Sequence, residues 1–541
     1  MARDLPSHWD VVVVGTGMAG ATLGLALARA GRRVLFLEQG STGIGDAGLR
    51  GRYPELEPPR RGGVLGEADR DLLHAAGREA GMVLDRSAGR ERRFVPYVGA
   101  GAGGSSALYG MALERFLPAD FTPRLHLRDA PEAAVVDAWP VSFDEMLPWY
   151  RAAEALYGVR GTTDPLAARF GAHDPARSLP APPPLTPAMA ELAVHLQRGG
   201  CHPYRLPMAC EFVAGCQGCQ GVLCPLPCKN DAARVALAPA VRDHGAALQS
   251  GARVVALDAD RRRVRSVVAE VQGRQRAFTA DVVVLAAGAL QTPALLLRSR
   301  GEHWPRGLAN GSGLVGRHLM RHLIDIHLVR VDPALRPGLD NRRKEIAFND
   351  FCVADGERLG SVQSFGRLPP VPMITGALAD DLRAAGVPAA GLFTALASPL
   401  LRPVLRGLVD DTLGLAAITE DLPYADNRVE PGPQGSVVLH YRLRAEGHRR
   451  VGLMRRRLSE VLRGRLRQVL EQHANNQRIA HVCGTCRFGD DPRTSVLDRH
   501  NRAHELDNLH VVDASFFPSS GGTNPSLTIA ANALRVGAHL A

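Results

Sequence analysis

Val11-Val12-Val13-Val14 runs directly into Gly15-Thr16-Gly17-Met18-Ala19-Gly20. An apolar run from Leu23 to Ala30 follows, and a second strand pattern, Arg33 to Leu37, ends on Glu38. This order predicts a strand, a glycine turn, a helix and a parallel strand. The three glycines do different things. Gly15 permits the tight turn, Gly17 lets a pyrophosphate approach the backbone, and Gly20 lets helix and sheet pack closely. The helix N-terminus presents free N–H groups and a positive dipole end to the phosphates. Residues 15–20, with Thr16, Met18 and Ala19 between the glycines, are therefore the candidate phosphate cradle. Glu38, about 20 residues further on, is placed to accept from ribose hydroxyls. Its charge disfavours a 2′-phosphate and so argues against NADP, without separating NAD from FAD.

The 541 residues suffice for two or three domains, or two that interleave. The net charge of +10 comes almost wholly from arginine, since Lys229 and Lys344 are the only lysines. These arginines are scattered and aromatic residues are few, so no nucleic-acid partner is expected. The densest basic run, Arg455 to Arg467, carries Leu453, Leu458, Val461, Leu462, Leu466, Val469 and Leu470 at helical spacing. It reads most simply as an amphipathic helix with a solvated basic face, a membrane-surface or partner role being the minor alternative. The first apolar run is the opening strand itself, so no signal peptide is read. Val282 to Leu297 is short and interrupted. Ala389 to Ile418 is broken by Arg402, Pro403, Arg406 and an aspartate pair. No transmembrane segment is expected, and the location expected is cytoplasmic, with export beside a signal-bearing partner left open.

Gln39 to Gly66 reads as an extended Gly/Arg/Pro-rich loop. Gly99 to Ser106, and within it Gly103, Gly104 and Ser105, is poor enough in side chains for a flat ligand to lie on its backbone. Ser142-Phe143-Asp144-Glu145 is a capping box opening a helix through Tyr157. Pro180 to Pro187 is a connector before another helix. Residues 247–297 read as βαβ-like: strands Arg253 to Leu257 and Val264 to Val271, a buried strand Ala280 to Leu285 ending at Ala286-Ala287-Gly288, then a helix.

Two C-terminal segments carry candidate chemistry. One is His481-Val482-Cys483-Gly484-Thr485-Cys486. The other is a strand, Leu509 to Val512, then Asp513-Ala514-Ser515, a Gly/Ser turn and Thr523-Asn524-Pro525 opening a helix to Leu540. Asn524 and Pro525 suit the N-cap and first helical position. A dipole end there would stabilise negative charge on a reduced flavin. Asn524 could hold a substrate oxygen, and Asp513 could accept from a cofactor hydroxyl.

These segments, with Thr292-Pro293, Ser312 to Arg317, Glu420 to Pro423 and Asn427 to Val429, resemble the glucose-methanol-choline (GMC) family of FAD-dependent alcohol oxidoreductases over nearly the whole chain. Trp139 to Ser142 followed by Trp149-Tyr150 resembles its gluconate dehydrogenase branch, whose members usually pass electrons to quinone or cytochrome. Tyr109 departs from the family loop, which often has asparagine there. The resemblance implies an α/β fold: a Rossmann-type FAD-binding domain with a second, substrate domain built on an antiparallel sheet. The expected segments are 1–140, 246–318 and 480–541 for the FAD domain, and 141–245 and 319–479 for the substrate domain. It also implies that His481 accepts the proton of an alcohol, polyol or sugar-like substrate, that Asn524 fixes its oxygen, and that flavin N5 accepts hydride. Expected cofactor contacts include Val254, Ala287, Gly288, Asp513, Ala514 and Pro525. Alternatives on the same scaffold are an oxygen-using oxidase and a non-redox lyase. The electron acceptor implied is a partner subunit or cytochrome.

Five of the nine cysteines fall together: Cys210, Cys216, Cys219, Cys224 and Cys228. Cys216, Cys219, Cys224 and Cys228 are candidate ligands. Spacing alone leaves an iron–sulfur cluster, zinc, disulfides and free thiols open. Family members that feed cytochromes hold a three-iron cluster in a similar place, and the C-x3-C ending of Cys224 and Cys228 matches theirs. Cys483 and Cys486 read as close packing or as thiols near the flavin rather than as a second metal site.

Overall fold

In a computed structural model, residues 6–40, 48–57, 67–79, 81–127, 130–354 and 357–541 are described. The expected loop from Gln39 to Gly66 therefore lies partly outside them. The opening motif folds as β1 (His8–Val14), α1 (Met18–Arg29) and β2 (Val34–Glu38). β1 and β2 pair in parallel, Val11 opposite Val34 and Val14 opposite Leu37. Their side chains are buried on both faces, as the unbroken valine and leucine runs require.

Residues 247–297 correct one expectation. They are not a βαβ unit. β3 (Ala247–Ser250) adds to β2 in parallel. β4 (Ala252–Ala259), β5 (Val264–Val271) and the twelve-residue β6 (Arg274–Leu285) then form an antiparallel meander. The short links Gly251, at φ +64°, and Gln272-Gly273, both at positive φ, leave no length for a crossover helix. β6 changes partners midway. Its first half pairs with β5, and its second half runs parallel to β1 and to Leu509–Val511. Three strand ends, after Val14, Leu285 and Val511, thus reach one edge of the sheet, where open α/β sheets bind ligands. α2 (Gly288–Arg298) leaves that edge.

The second sheet is antiparallel. β7 (Leu323–Arg330) and β9 (Thr412–Thr419) form its centre, with β8 (Gly360–Ser364) beside β9 and β10 (Leu466–Glu471) beside β7. One face buries Val329, Phe348, Val362 and Leu415 against Leu192, Leu196, Met454 and Leu458 of two helices. Between β8 and β9 lie α3 (Val371–Ala384) and α4 (Ala390–Asp410), packed on each other.

Two further expectations change here. The basic run is not one helix: α5 (Ala445–Val461) ends at its cap Leu462, before Gly464 at φ +78°, and Leu466, Val469 and Leu470 belong to β10. The apolar run from Ala389 is not broken at Arg402, Pro403 or Arg406, only at the aspartate pair, Asp410 and Asp411. α4 continues through Pro399 and Pro403 for 21 residues, long and apolar enough to cross a membrane by length and composition. The capping box behaves as expected: Ser142 accepts from Glu145 N, and Glu145 accepts from Ser142 N.

Candidate active site

Gly15 adopts φ +97°, and a Cβ there would lie 2.5 Å from Ala286 O. At Gly20 a Cβ would lie 2.1 Å from Gly15 O, which is the close helix–strand approach expected of that glycine. Gly17 is different, since nothing lies within 4 Å of its Cβ direction. The first turn of α1 holds no carboxylate and Gly17 makes no side-chain cap, so its N–H groups remain for an anion. The second glycine loop lies on the first. Gly104, at φ +50°, would place a Cβ 3.0 Å from Gly17 Cα. This loop is pinned rather than slack: Ser105 Oγ accepts from Gly99 N, and Ser106 Oγ donates to Gly103 O and accepts from Ala232 N. Tyr109, the departure from the family loop, donates to Asn230 O. Val254 is half-buried on β4, which touches β2.

Two carboxylates expected to be free acceptors are already engaged. Glu38 takes Thr16 N and Thr16 Oγ1 on one oxygen, at 3.0 and 2.7 Å, and Gly40 N and Gly101 N on the other, at 3.0 and 2.9 Å. It ties both glycine loops to the end of β2. Asp513 takes Thr292 Oγ1 and Gly288 N on one oxygen, at 2.6 and 2.9 Å, and Ser515 N and Oγ on the other. A carboxylate offers about four acceptor sites, so both act here as clamps on the cradle, and a cofactor hydroxyl would have to share an occupied oxygen. Ala514 O accepts from Gly484 N, joining the Asp513 segment to the His481 segment.

His481 follows β10 at φ +53°, an uncommon conformation for a side-chain-bearing residue. Its Nδ1 lies 2.9 Å from Nδ1 of His322, which sequence reading missed. His322 Nε2 lies 2.9 Å from both Ser520 O and Gly521 O. Two carbonyls accept only, so His322 Nε2 carries a proton. Burial holds both imidazoles below the ordinary histidine range, His481 well below, so both are neutral near pH 7. A neutral His322 protonated at Nε2 accepts at Nδ1, and His481 must then donate from its own Nδ1. The lone pair of His481 is left on Nε2. Lys344 adds a nearby positive charge that lowers His481 further, and its own ammonium is pushed down to about 8 by burial.

Asn524 corrects the expected cap. It makes no side-chain cap bond, the helix runs Ser526–Leu540, and Pro525 takes the capping position. Asn524 Oδ1 is instead buried without a hydrogen-bond partner. Orphaned buried acceptors are uncommon and call for an explanation; a ligand group supplies one. The turn leading to Asn524 is firmly held. Ser361 N donates to Gly522 O at 2.8 Å, Thr523 Oγ1 donates to buried Glu114 at 2.9 Å, and Trp139 Nε1 donates to Ser519 Oγ at 2.8 Å.

The cysteines converge. Sγ atoms of Cys210, Cys216 and Cys228 lie within 4.8 Å of one another, and Cys224 Sγ is 3.3 Å from Cys228 Sγ. Cys210 thus joins the four expected ligands. Contacts with Cys210 and Cys228 hold the Cys216 thiol well below its usual range, and contacts with Cys219 and Cys228 do the same for Cys224. Lys229, 1% exposed, donates from Nζ to Ala107 O at 2.9 Å and Val222 O at 3.0 Å, and its charge acts on Cys219, Cys224 and Cys228. Cys483 and Cys486 are buried packing residues.

An FAD binding domain model matches residues 10–46, and the GMC oxidoreductase models match residues 198–324 and 438–533. The chain is 30% identical to paromamine 6'-oxidase of Streptomyces fradiae over 98% of this chain and 91% of that one. It is 25% identical to the fructose dehydrogenase large subunit of Gluconobacter japonicus, over 97% and 96%. Its fold matches the crystal structure of pyridoxine 4-oxidase from Mesorbium loti with a TM-score of 0.62 and 22% identity, over 98% of this chain and 99% of that one. The open cradle at Gly17, the two glycine loops and the orphaned Asn524 fit a bound flavin nucleotide, and the chain belongs to the GMC oxidoreductase family as an FAD-dependent oxidoreductase.

Proposed function

We propose that this chain oxidises a CH–OH group of a polyol or sugar-like alcohol. The observation that carries the reading is the tautomer imposed on His481, whose Nε2 lone pair is directed to accept a proton. Bound FAD would supply the hydride acceptor, held by residues 15–20, the Gly103–Ser105 loop, Ala287, Gly288 and Ala514. His481 takes the hydroxyl proton at Nε2, the developing imidazolium is stabilised through its Nδ1–H bond to His322, and the Asn524 amide orients the substrate oxygen. The names of the relatives support sugar-like hydroxyls as substrates.

Electrons leave to a quinone, a cytochrome or a partner subunit. The cysteine cluster supports this route: Cys210, Cys216, Cys219, Cys224 and Cys228 form an all-thiol donor set beside the Lys229 ammonium, suited to an iron–sulfur centre. A second reading, direct use of oxygen, is favoured by the oxidase name of the relative at 30% identity. An anaerobic screen of alcohols for bleaching of the flavin absorbance tests the activity; no bleaching by any alcohol would defeat it in favour of a non-redox role. Peroxide formed in stoichiometric amounts during aerobic turnover would select the oxidase, and absence of iron and sulfide in anaerobically purified protein would remove the cluster.

A further inference from the structure

We infer that α4 is a docking surface for an anionic lipid bilayer. Of the eleven large hydrophobic side chains exposed among the described residues, seven lie between Leu378 and Val404. Leu392, Leu396, Leu400 and Val404 follow each other at intervals of four, with Phe393 beside them, and each is 60–80% exposed. Residues so spaced form one face of a helix. The other exposed apolar positions beside them are Ala395, Pro399 and Pro403, and the hydrogen-bonding side chains that reach this face are Arg402 and Arg406 at one edge. A single contiguous apolar face of this kind marks a contact surface.

The sequence around it is polarised. No charged residue lies between Arg383 and Arg402. Arg402 and Arg406 then appear together on one flank of the apolar face, both exposed and without an ion-pair partner among the described residues. That pairing of an apolar face with a basic flank matches a bilayer surface, where acyl chains meet the leucines and anionic headgroups meet the arginines. A protein partner would call for aromatic anchors at the centre and a mixed polar rim; this face has one aromatic residue, and Arg402 and Arg406 make its polar edge purely cationic.

The helix lies on the membrane and does not cross it. Immediately beyond Asp411 the chain enters β9, every residue of which is buried in the second sheet. At the other end, α3 is tied to the body by Arg478, which binds Asp381 and Ala377 O, and by Asn475, which donates to Asp381. With both ends held on the same domain, α4 cannot place them on opposite sides of a bilayer. The tie at Arg478 stands three residues before His481, so docking would set the active-site loops close to the lipid surface.

The decisive experiment is flotation of flavin-loaded full-length protein with phosphatidylcholine vesicles, pure or containing about half phosphatidylglycerol. Wild-type protein is expected to float with the anionic vesicles, and the L396E/L400E variant to float about tenfold less. R402E/R406E is expected to lose the preference for anionic vesicles. Flavin content and melting temperature of both variants should match the wild type, which shows that the fold is intact. Wild-type protein that stays at the bottom of the gradient overturns the inference, as does equal flotation of L396E/L400E. A wild-type dimer in light scattering that L396E/L400E converts to monomer, with no vesicle binding, assigns the face to a second copy of this chain instead. The outcome is independent of which alcohol the enzyme oxidises.

Discussion

The Nδ1 atoms of His322 and His481 lie 2.9 Å apart, and only one proton fits between them. Because Ser520 O and Gly521 O fix the proton of His322 on Nε2, the shared proton belongs to His481. His481→Ala should therefore cut alcohol-driven flavin reduction by at least ~100-fold. His322→Leu removes the acceptor and frees the other tautomer, and should cost about 10-fold or more. His322→Asn keeps an acceptor for His481 and a donor for the carbonyls, and should recover most of that loss. Stopped-flow flavin reduction measures all three; equal rates for His322→Leu and His322→Asn would remove His322 from the catalytic arrangement.

The pH dependence has a definite sign. A base whose pKa is lowered stays neutral to lower pH, so the acid limb of kcat/KM should fall below 6.5, the ordinary value for histidine. The positive charge of Lys344 contributes to the lowering, so Lys344→Met should move that limb to higher pH. A limb that stays in place would mean that Lys344 does not act on the base.

Stability follows the buried histidines. Burial holds His318 at about 3 and His327 and His510 at about 4, against 6.5 for the unfolded chain. Between those values the unfolded chain binds more protons, so stability rises with pH and is lost on acidification below about 6.5. Asp421, pushed up to about 6 by burial, works in the opposite direction. Burial raises Glu114, Asp164, Asp231, Glu345, Asp380 and Asp513 in the same sense as Asp421. It also lowers His322, His440, His481 and His500, and hydrogen bonds from arginine or from backbone N–H groups hold Asp174 and Asp260 low. The histidines and the paired carboxylates together should make the melting temperature drop from pH 6.5 to about pH 4.5. A melting temperature that rises as the pH falls across that window would overturn the prediction.

Asn524 separates function from stability. Its buried Oδ1 has no partner, so Asn524→Leu removes an unsatisfied acceptor and should leave the melting temperature unchanged or higher. The same change should lower kcat/KM by about 10- to 100-fold, if an oriented substrate oxygen is what the amide serves. Parallel thermal melts and kinetics decide the matter, and a destabilised but fully active variant would show a structural amide.

The cradle was legible because its residues are local: strand, glycine turn, helix and acid follow one another in an unbroken stretch, and each glycine shows its steric reason in the fold. The saturation of Glu38 and Asp513 was not legible, since their donors include Gly101 and Thr292, 63 and 221 residues away. His322 carried no motif, and its role exists only because residues 520–521 present two carbonyls to it. Lys344 did leave a trace, as one of two lysines in an arginine-rich chain. The length of α4 was obscured by Arg402, Pro403 and Arg406, which read as breakers although the surface helix runs through all three here.

Lys229 couples the two halves of the site. Its buried Nζ joins Val222 O, inside the cysteine segment, to Ala107 O, at the end of the loop whose Gly104 lies on Gly17. Lys229→Met leaves two carbonyls without their donor, at a cost of about 1–3 kcal/mol each, and removes the positive charge beside the thiols. Both effects act on the glycine loop and the cysteines together. The variant should therefore lose flavin occupancy and melt lower than the wild type, while any iron it holds falls in the same proportion. Flavin, iron and protein quantified on one sample test this. Loss of iron with full flavin occupancy would show that Lys229 serves the thiols alone, and that the two sites are held independently.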